Sequence, residues 1–213
     1  MFVLASASKA RQKLLDQIAL RHKVIVSDFD ETQFQEQDPI VKVKLLAKGK
    51  ADSALKKLIE ENHALNTYQA LLGCDSLFEF KGEIFEKPNN KEQLISRWQR
   101  MSGKSGLLHT GHCLISLDDF KSDMESISQN KCCEEVVSTK IEFMSLSNIE
   151  IIKYASIPEP YNCAGGFAIE GFGGLFIKNI DGCFSNVVGL SLPWLKTNLE
   201  KFGLSNLILD KQK

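Results

Sequence analysis

Short apolar runs alternate with helix-period segments along the whole chain, and this alternation restricts the fold more than any other feature of the sequence. Phe2 to Ala5 reads as a buried strand, Ser6-Ala7-Ser8 breaks it, and Ala10 to Leu20 carries Leu14, Leu15, Ile18 and Ala19 on one helical face. A second short strand is predicted over Val24 to Ser27, ahead of the acidic run Asp28-Phe29-Asp30-Glu31. Asp38-Pro39 supplies an N-cap carboxylate and a first-turn proline for a helix reaching about Glu61. Ala70 to Cys74 reads as a strand ending at Asp75, and Leu77 to Phe80, Lys81-Gly82 and Glu83 to Phe85 as a hairpin. Pro88-Asn89-Asn90 caps a helix over Lys91 to Met101. Leu107 to Leu117 and Val136 to Leu146 are predicted strands, with the polar stretch 118–135 an exposed loop or hairpin tip between them. Ser147 to Glu150 is a capping box opening a short helix. Leu175 to Ile180 and Cys183 to Val188 flank Asp181-Gly182 as a second hairpin, and Leu192 to Phe202 is the closing helix. Helices interspersed with hairpins predict an α/β fold with a mixed sheet.

At 213 residues the chain is long enough to bury a full core, and with no clear linker it is expected to be one domain over 1–213. Its net charge of -1 argues against a general nucleic-acid coat but leaves room for a local cationic pocket. No apolar stretch approaches a membrane span. The N-terminal apolar run has no basic residue before it and does not read as a signal peptide, so a cytoplasmic location is expected. The six cysteines, with no CxxC pair, are then expected as reduced thiols, and Cys132-Cys133 as an exposed, chemically idle pair.

Three places fit a pure scaffold poorly. Lys50 falls near the centre of the stripe set by Val43, Ala47 and Ala54, whereas Lys44, Lys48 and Lys56 lie on the polar side. Either something anionic meets it there or it snorkels at the helix edge. Asp75 closes the apolar run Leu71-Leu72-Gly73-Cys74, where a carboxylate can hold a metal, act as a base or cap a turn. The turn from Ser6 to Arg11 leaves backbone N–H groups at a helix start, which suits an anion; Arg11 is either a phosphate fork or a surface arginine. Several motifs fail. Gly103-Lys104-Ser105 lacks the first glycine of a P-loop, and Ser6-x-x-Lys9 lacks the companion signatures of a β-lactamase. His109 and His112 are three apart on a predicted strand and face opposite sides, so they should not chelate one metal.

Taken together, the segments resemble the Maf family of nucleoside triphosphate pyrophosphatases. Leu4-Ala5-Ser6-Ala7-Ser8-Lys9-Ala10-Arg11 with Leu14-Leu15 resembles its N-terminal signature, Ala47-Lys48-Gly49-Lys50-Ala51 its A-x-x-K-A helix, and Gly73-Cys74-Asp75-Ser76 its G-A-D-T segment. Glu86-Lys87-Pro88, Ser102-Gly103-Lys104, Ala164-Gly165-Gly166-Phe167 with Ile169-Glu170-Gly171, and Val187 to Pro193 follow in order and with compatible spacing. The resemblance implies a two-lobed fold, with an elongated mixed sheet flanked by helices and a central cleft. It implies metal-dependent cleavage of nucleoside triphosphates to monophosphate and pyrophosphate. It gives Ser8 and Arg11 to phosphate, Lys50 and Lys87 to charge neutralisation, and Asp75 to base and metal ligand. By the same resemblance Glu31 is expected to be the second metal ligand, for a divalent cation such as Mg²⁺ or Mn²⁺, which suits one or two carboxylates. The implied partner is the nucleotide substrate, with no nucleic acid and no membrane; a homodimer is compatible.

Three departures concern the base. Ala10 stands for the first arginine of the signature, Ser76 for the threonine after the aspartate, and Glu170 for the glutamine of the branch that takes dTTP and UTP. An ionised glutamate only accepts hydrogen bonds, which matches the adjacent donors of guanine or the amino group of cytosine. The expected substrate is therefore a guanine-type or cytosine triphosphate, 7-methyl-GTP among them. A non-catalytic nucleotide-binding regulator of septum formation is the alternative; a nucleic-acid-binding protein is disfavoured by charge and by the lack of interleaved arginine and aromatic residues.

Overall fold

The structure, a computed structural model, describes residues 1–31, 36–61, 65–117 and 131–209. Its strands are β1 (Phe2–Leu4), β2 (His22–Val24), β3 (Ala70–Phe80), β4 (Glu83–Phe85), β5 (Ser105–Ser116), β6 (Cys132–Phe143) and β7 (Ile177–Asp181). Its helices are α1 (Lys9–Gln17), α2 (Pro39–Glu60), α3 (Lys91–Met101), α4 (Asn148–Tyr154), α5 (Phe184–Val188), α6 (Leu192–Lys201) and α7 (Asn206–Leu209). The seven strands make one sheet in the order β2-β1-β3-β5-β6-β7, with β4 added to β3. β1 pairs with β2 and β3 in parallel, whereas β4 on β3 and β7 on β6 are antiparallel, so the sheet is mixed as expected.

Side-chain caps start the longer helices. Ser8, Asp38, Asn90, Ser147 and Ser191 each accept from backbone N–H groups of the first turn, and Ser147 with Glu150 completes the reciprocal capping box. Each such cap is worth about 1 kcal/mol. At the β3–β4 turn, Lys81 and Gly82 both take positive φ, the geometry of a two-residue hairpin turn.

Four boundaries differ from the sequence reading, each because a tertiary partner outweighs local pattern. β2 ends at Val24 rather than beginning there, because the parallel register sets His22, Lys23 and Val24 opposite Phe2, Val3 and Leu4. β3 does not stop at Asp75; it continues unbroken to Phe80, so Asp75 is a mid-strand residue and caps no turn. β6 begins at Cys132, inside the stretch expected to be loop, because its polar residues find partners: Glu134 meets Lys48 at 2.9 Å and Glu135 accepts from Trp194 Nε1 at 2.7 Å. The rest of that predicted loop, residues 118–130, lies outside the described residues. The second hairpin does not form. β7 turns back onto β6, and Cys183 to Val188 contributes the helix α5, whose buried Asn186 donates to Thr139 Oγ1 at 3.0 Å.

Two compact units divide the chain. The first comprises Met1–Asp75, Gly111–Val136 and Gly189–Lys213, the second Ser76–Thr110 and Val137–Val188. In the first, the small-residue stripe Ala47, Ala51 and Ala54 of α2 buries against Leu71 and Cys113. Gly73 permits that approach, since a Cβ there would overlap the Ala47 carbonyl of α2. In the second, fully buried Trp98 meets Phe143, Tyr154 and Phe176 edge-on at 5.3–5.7 Å. Such pairs add about 0.5–1.5 kcal/mol each beyond area burial.

Candidate active site

Lys50 is the centre of the first unit's charged cluster. Its side chain, 13% exposed, projects from the sheet-facing side of α2, and its Nζ lies 2.5 Å from Asp75 Oδ1 and 2.8 Å from Glu31 Oε1. The lysine therefore does not snorkel to solvent; two carboxylates meet it. Asp75, 14% exposed, is held between its β-strand neighbours. Glu31 is half exposed and follows a different route to the site. Phe29 rests its ring on the backbone of α2 at Gly49, where any Cβ would overlap the ring, and Glu31 lies two residues beyond that anchor. Mid-helix glycine ordinarily costs about 1 kcal/mol relative to alanine, and here it makes room for the ring. One ammonium and two carboxylates form a hard-oxygen cluster of net negative charge. That donor set fits a divalent cation such as Mg²⁺, which takes one or two carboxylates and leaves the remaining positions to phosphate and water.

At the start of α1, Ser6 Oγ accepts from the Ser8 N–H at 3.3 Å and Ser8 Oγ from the Arg11 N–H at 3.4 Å. Arg11 is not a surface arginine. It is buried, and its guanidinium donates to the Gly189 carbonyl at 2.7 Å and to Ser6 Oγ and the Cys74 carbonyl at 2.9 Å each. Arg11 thus ties the turn after β1 to the residue immediately before Asp75. Burial pushes the Cys74 thiol up to about 12, so it stays protonated between them.

The remaining residues of interest lie in the second unit. Ser76 Oγ is 3.0 Å from Thr110 Oγ1, and Thr110 donates onward to the Asn186 carbonyl at 3.1 Å. Lys87 and Glu170 are both exposed, and both act electrostatically on Cys163. Burial pushes that thiol up to about 11; Glu170 and Glu159 add to the rise and Lys87 opposes it. Nearby in sequence, the Gly166 carbonyl accepts from Trp98 Nε1 at 3.0 Å.

The structure thus brings Glu31, Lys50 and Asp75 into one cluster and gathers Ser8 and Arg11 at the head of α1, whereas Lys87 and Glu170 lie in the second unit. Sequence reasoning missed Ser6 as the acceptor for Arg11, Thr110 as the partner of Ser76, and Cys163 as a thiol on which Lys87 and Glu170 both act. Only Cys163 carried a signal, its place directly before the glycine turn 164–166. His109 and His112 take separate partners, His109 with Ser138 and Glu79, His112 with the Ser191 N–H, as their opposite strand faces require. Among the described residues no helix is long and apolar enough to cross a membrane.

Comparison with known proteins matches residues 1–202 to the model of a family described as Maf-like protein. The chain is 88% identical over 211 residues to a protein of Prochlorococcus marinus (strain NATL1A) named nucleoside triphosphate pyrophosphatase, covering 99% of this chain and 100% of that one. A protein of the same name from Prochlorococcus marinus (strain MIT 9301) is 45% identical over 205 residues, 93% of this chain and 99% of its own length. A third, from Synechococcus sp. (strain CC9311), is 46% identical over 197 residues, 92% of this chain and 97% of its own.

Proposed function

This chain belongs to the Maf-like protein family, and we propose that it hydrolyses nucleoside triphosphates between the α- and β-phosphates, yielding a nucleoside monophosphate and pyrophosphate. One observation carries the reading: a nearly buried lysine sits within hydrogen-bond distance of two carboxylates, one on a rigid strand and one on an anchored loop. Ion clusters of this kind are costly scaffold elements and suit a polyanionic ligand with its counter-cation. The named activity of relatives that align along almost the whole chain supports the same reaction.

In this reading Lys50 swings from its carboxylates to the triphosphate and stabilises charge on the phosphoryl oxygens as the anhydride bond breaks. Asp75 accepts a proton from the attacking water, which its mid-strand position aims reproducibly. The head of α1, with Ser8, offers backbone N–H groups and a hydroxyl to phosphate. Arg11 holds that turn against Cys74 and Gly189 and adds positive charge at the phosphate end. Glu31 and Asp75 would hold Mg²⁺ or Mn²⁺, and the cation, when bound, supplies charge neutralisation on the polyphosphate. Lys87 adds positive charge, and Glu170 with Ser76 contacts the base. Guanine-type and cytosine triphosphates, 7-methyl-GTP included, are the proposed substrates. All six cysteines are free thiols, which fits a cytoplasmic enzyme. The test is pyrophosphate release across normal and modified nucleotides with and without Mg²⁺. Tight nucleotide binding without any pyrophosphate release would replace this reading by that of a binding regulator.

A further inference from the structure

Cys113 and Cys132 face each other at the end of the sheet that meets α2. Cys113 is fully buried on β5, Cys132 is exposed at the start of β6, and their Sγ atoms are 3.7 Å apart. β5 and β6 are neighbouring strands, fastened here by Ser116 N–H to the Lys131 carbonyl at 2.9 Å. Glu134 completes the group, its Oε1 4.0 Å from Cys132 Sγ and 2.9 Å from the Lys48 ammonium. The Lys48 ammonium also lies 3.9 Å from Asp52 and Glu134's other oxygen 3.8 Å from Lys44. None of these residues belongs to the cluster assigned to nucleotide.

From this geometry we infer that Cys113 and Cys132 form a dithiol that a hydroperoxide converts reversibly to an intramolecular disulfide. Three features support it. The sulfurs are already in contact at 3.7 Å on neighbouring strands, and a disulfide needs them at about 2.0 Å. The two thiols are inequivalent: Cys113 is buried and Cys132 exposed, and their mutual contact, the largest influence on each, lowers the Cys132 thiol against the opposing effects of burial and Glu134 and raises that of Cys113. The exposed sulfur is therefore the nucleophile and the buried one the resolving partner. Finally, Glu134 already holds Lys44 and Lys48, so a cation shared by Cys113, Cys132 and Glu134 would have to share that carboxylate with two ammonium groups.

The chemistry balances in two steps. The Cys132 thiolate attacks one peroxide oxygen, the O–O bond breaks, and Cys132 becomes a sulfenic acid while hydroxide leaves and is protonated to water. The Cys113 sulfur then attacks Cys132 Sγ, the S–O bond breaks, and the hydroxyl leaves as water with the proton of Cys113. Two thiols lose two electrons to one hydroperoxide, here hydrogen peroxide, and a thiol reductant reverses the change.

The experiment treats the full chain with hydrogen peroxide, then blocks and digests it without reductant for mass spectrometry. The expected product is a Cys113–Cys132 cross-linked peptide lighter by two hydrogens, with the thiol count falling from six to four and recovering with dithiothreitol. Cys132→Ser should protect Cys113 from oxidation; Cys113→Ala should leave a dimedone-trappable sulfenic acid at Cys132. Since Cys113 is buried and its variant can misfold, the exposed Cys132→Ser carries the test alone if needed. Cross-links through other cysteines, or unchanged thiols at peroxide levels that oxidise a free thiol, would overturn the inference. So would stoichiometric zinc on the protein as purified that is lost in Cys132→Ser, which would make the pair a metal site.

Discussion

The two groups of proposed functional residues are built in opposite ways. In the first unit, Lys50, Asp75 and Glu31 are tied to one another, two of them nearly buried on a helix and a strand. In the second, Lys87 and Glu170 stand exposed on turns, and no hydrogen-bond partner for either is found among the described residues. The ion pairs of the first group are thus formed without substrate. Under the proposed function, the first group would govern rate, because a polyphosphate is common to every nucleotide; Lys87 and Glu170 would govern choice, because a mismatch there leaves a polar group without a partner.

The largest effect should come from the strand. Asp75→Asn keeps the shape of the side chain and removes its charge, so kcat for pyrophosphate release should fall by about 10²–10⁴, the range of a lost general base. Circular dichroism should report an intact fold. Near wild-type turnover would break the assignment of Asp75 and with it the contrast between the two groups.

Lys50→Met tests whether the cluster is truly prewired. It leaves Asp75 and Glu31 facing each other without a cation, so stability should fall, by about 1–3 kcal/mol given the penalty for an unmatched charged group. Pairing it with Asp75→Asn should recover most of that loss in a denaturant titration while leaving the enzyme inactive. The loss of a charge-assisted contact to phosphate should also lower kcat/KM by roughly 10- to 150-fold. Unchanged stability and kinetics would return Lys50 to the status of a helix-edge lysine.

The exposed group predicts selectivity rather than rate. The wild-type chain should favour 7-methyl-GTP or CTP over dTTP and UTP by roughly 5- to 150-fold in kcat/KM, from unmet polar groups worth about 1–3 kcal/mol. Glu170→Gln should narrow that gap without lowering kcat on the better substrate. Equal or better turnover of dTTP and UTP by the wild type would pass base choice to Ser76 and its partner Thr110.

How much of this could be read from the residues depended on the range of the interaction. Helix starts were legible because caps act within four residues: Asp38, Asn90 and Ser147 all do what their positions imply. The misfit of Lys50 was legible because a stripe is local, yet which anions meet it was not, since Asp75 is 25 residues away and Glu31 reaches it through a loop. The sequence points to Asp75 through a strand end that does not form. The strand does not end there, and the polarity change that looked like a terminus is a charged residue inside β3, opposite α2. Arg11 shows the same limit. Its sequence context suits an anion, but the carbonyls that claim it come from residues 74 and 189. Cys132 shows no partner in its own sequence neighbourhood, because Cys113 lies 19 residues away.

The smallest expected effect separates loop placement from helix strength, the two roles joined at Gly49. Replacing Gly49 with alanine should by propensity alone stabilise α2 by about 1 kcal/mol. Against that, the added Cβ would enter the space of the Phe29 ring and force it off the helix, taking with it the anchor from which Glu31 reaches Lys50. Packing lost on one side should offset helix gained on the other, so the melting temperature should barely move. KM for the Mg²⁺–nucleotide complex should instead rise by about 2- to 5-fold, an amount below 1 kcal/mol. Phe29→Ala should reproduce the change in KM while lacking the helix gain, and so be slightly less stable than the wild type. A Gly49→Ala protein that is more stable by the full propensity difference, with unaltered KM, would show that Phe29 does not position Glu31, and the prewired group would then reduce to Lys50 and Asp75.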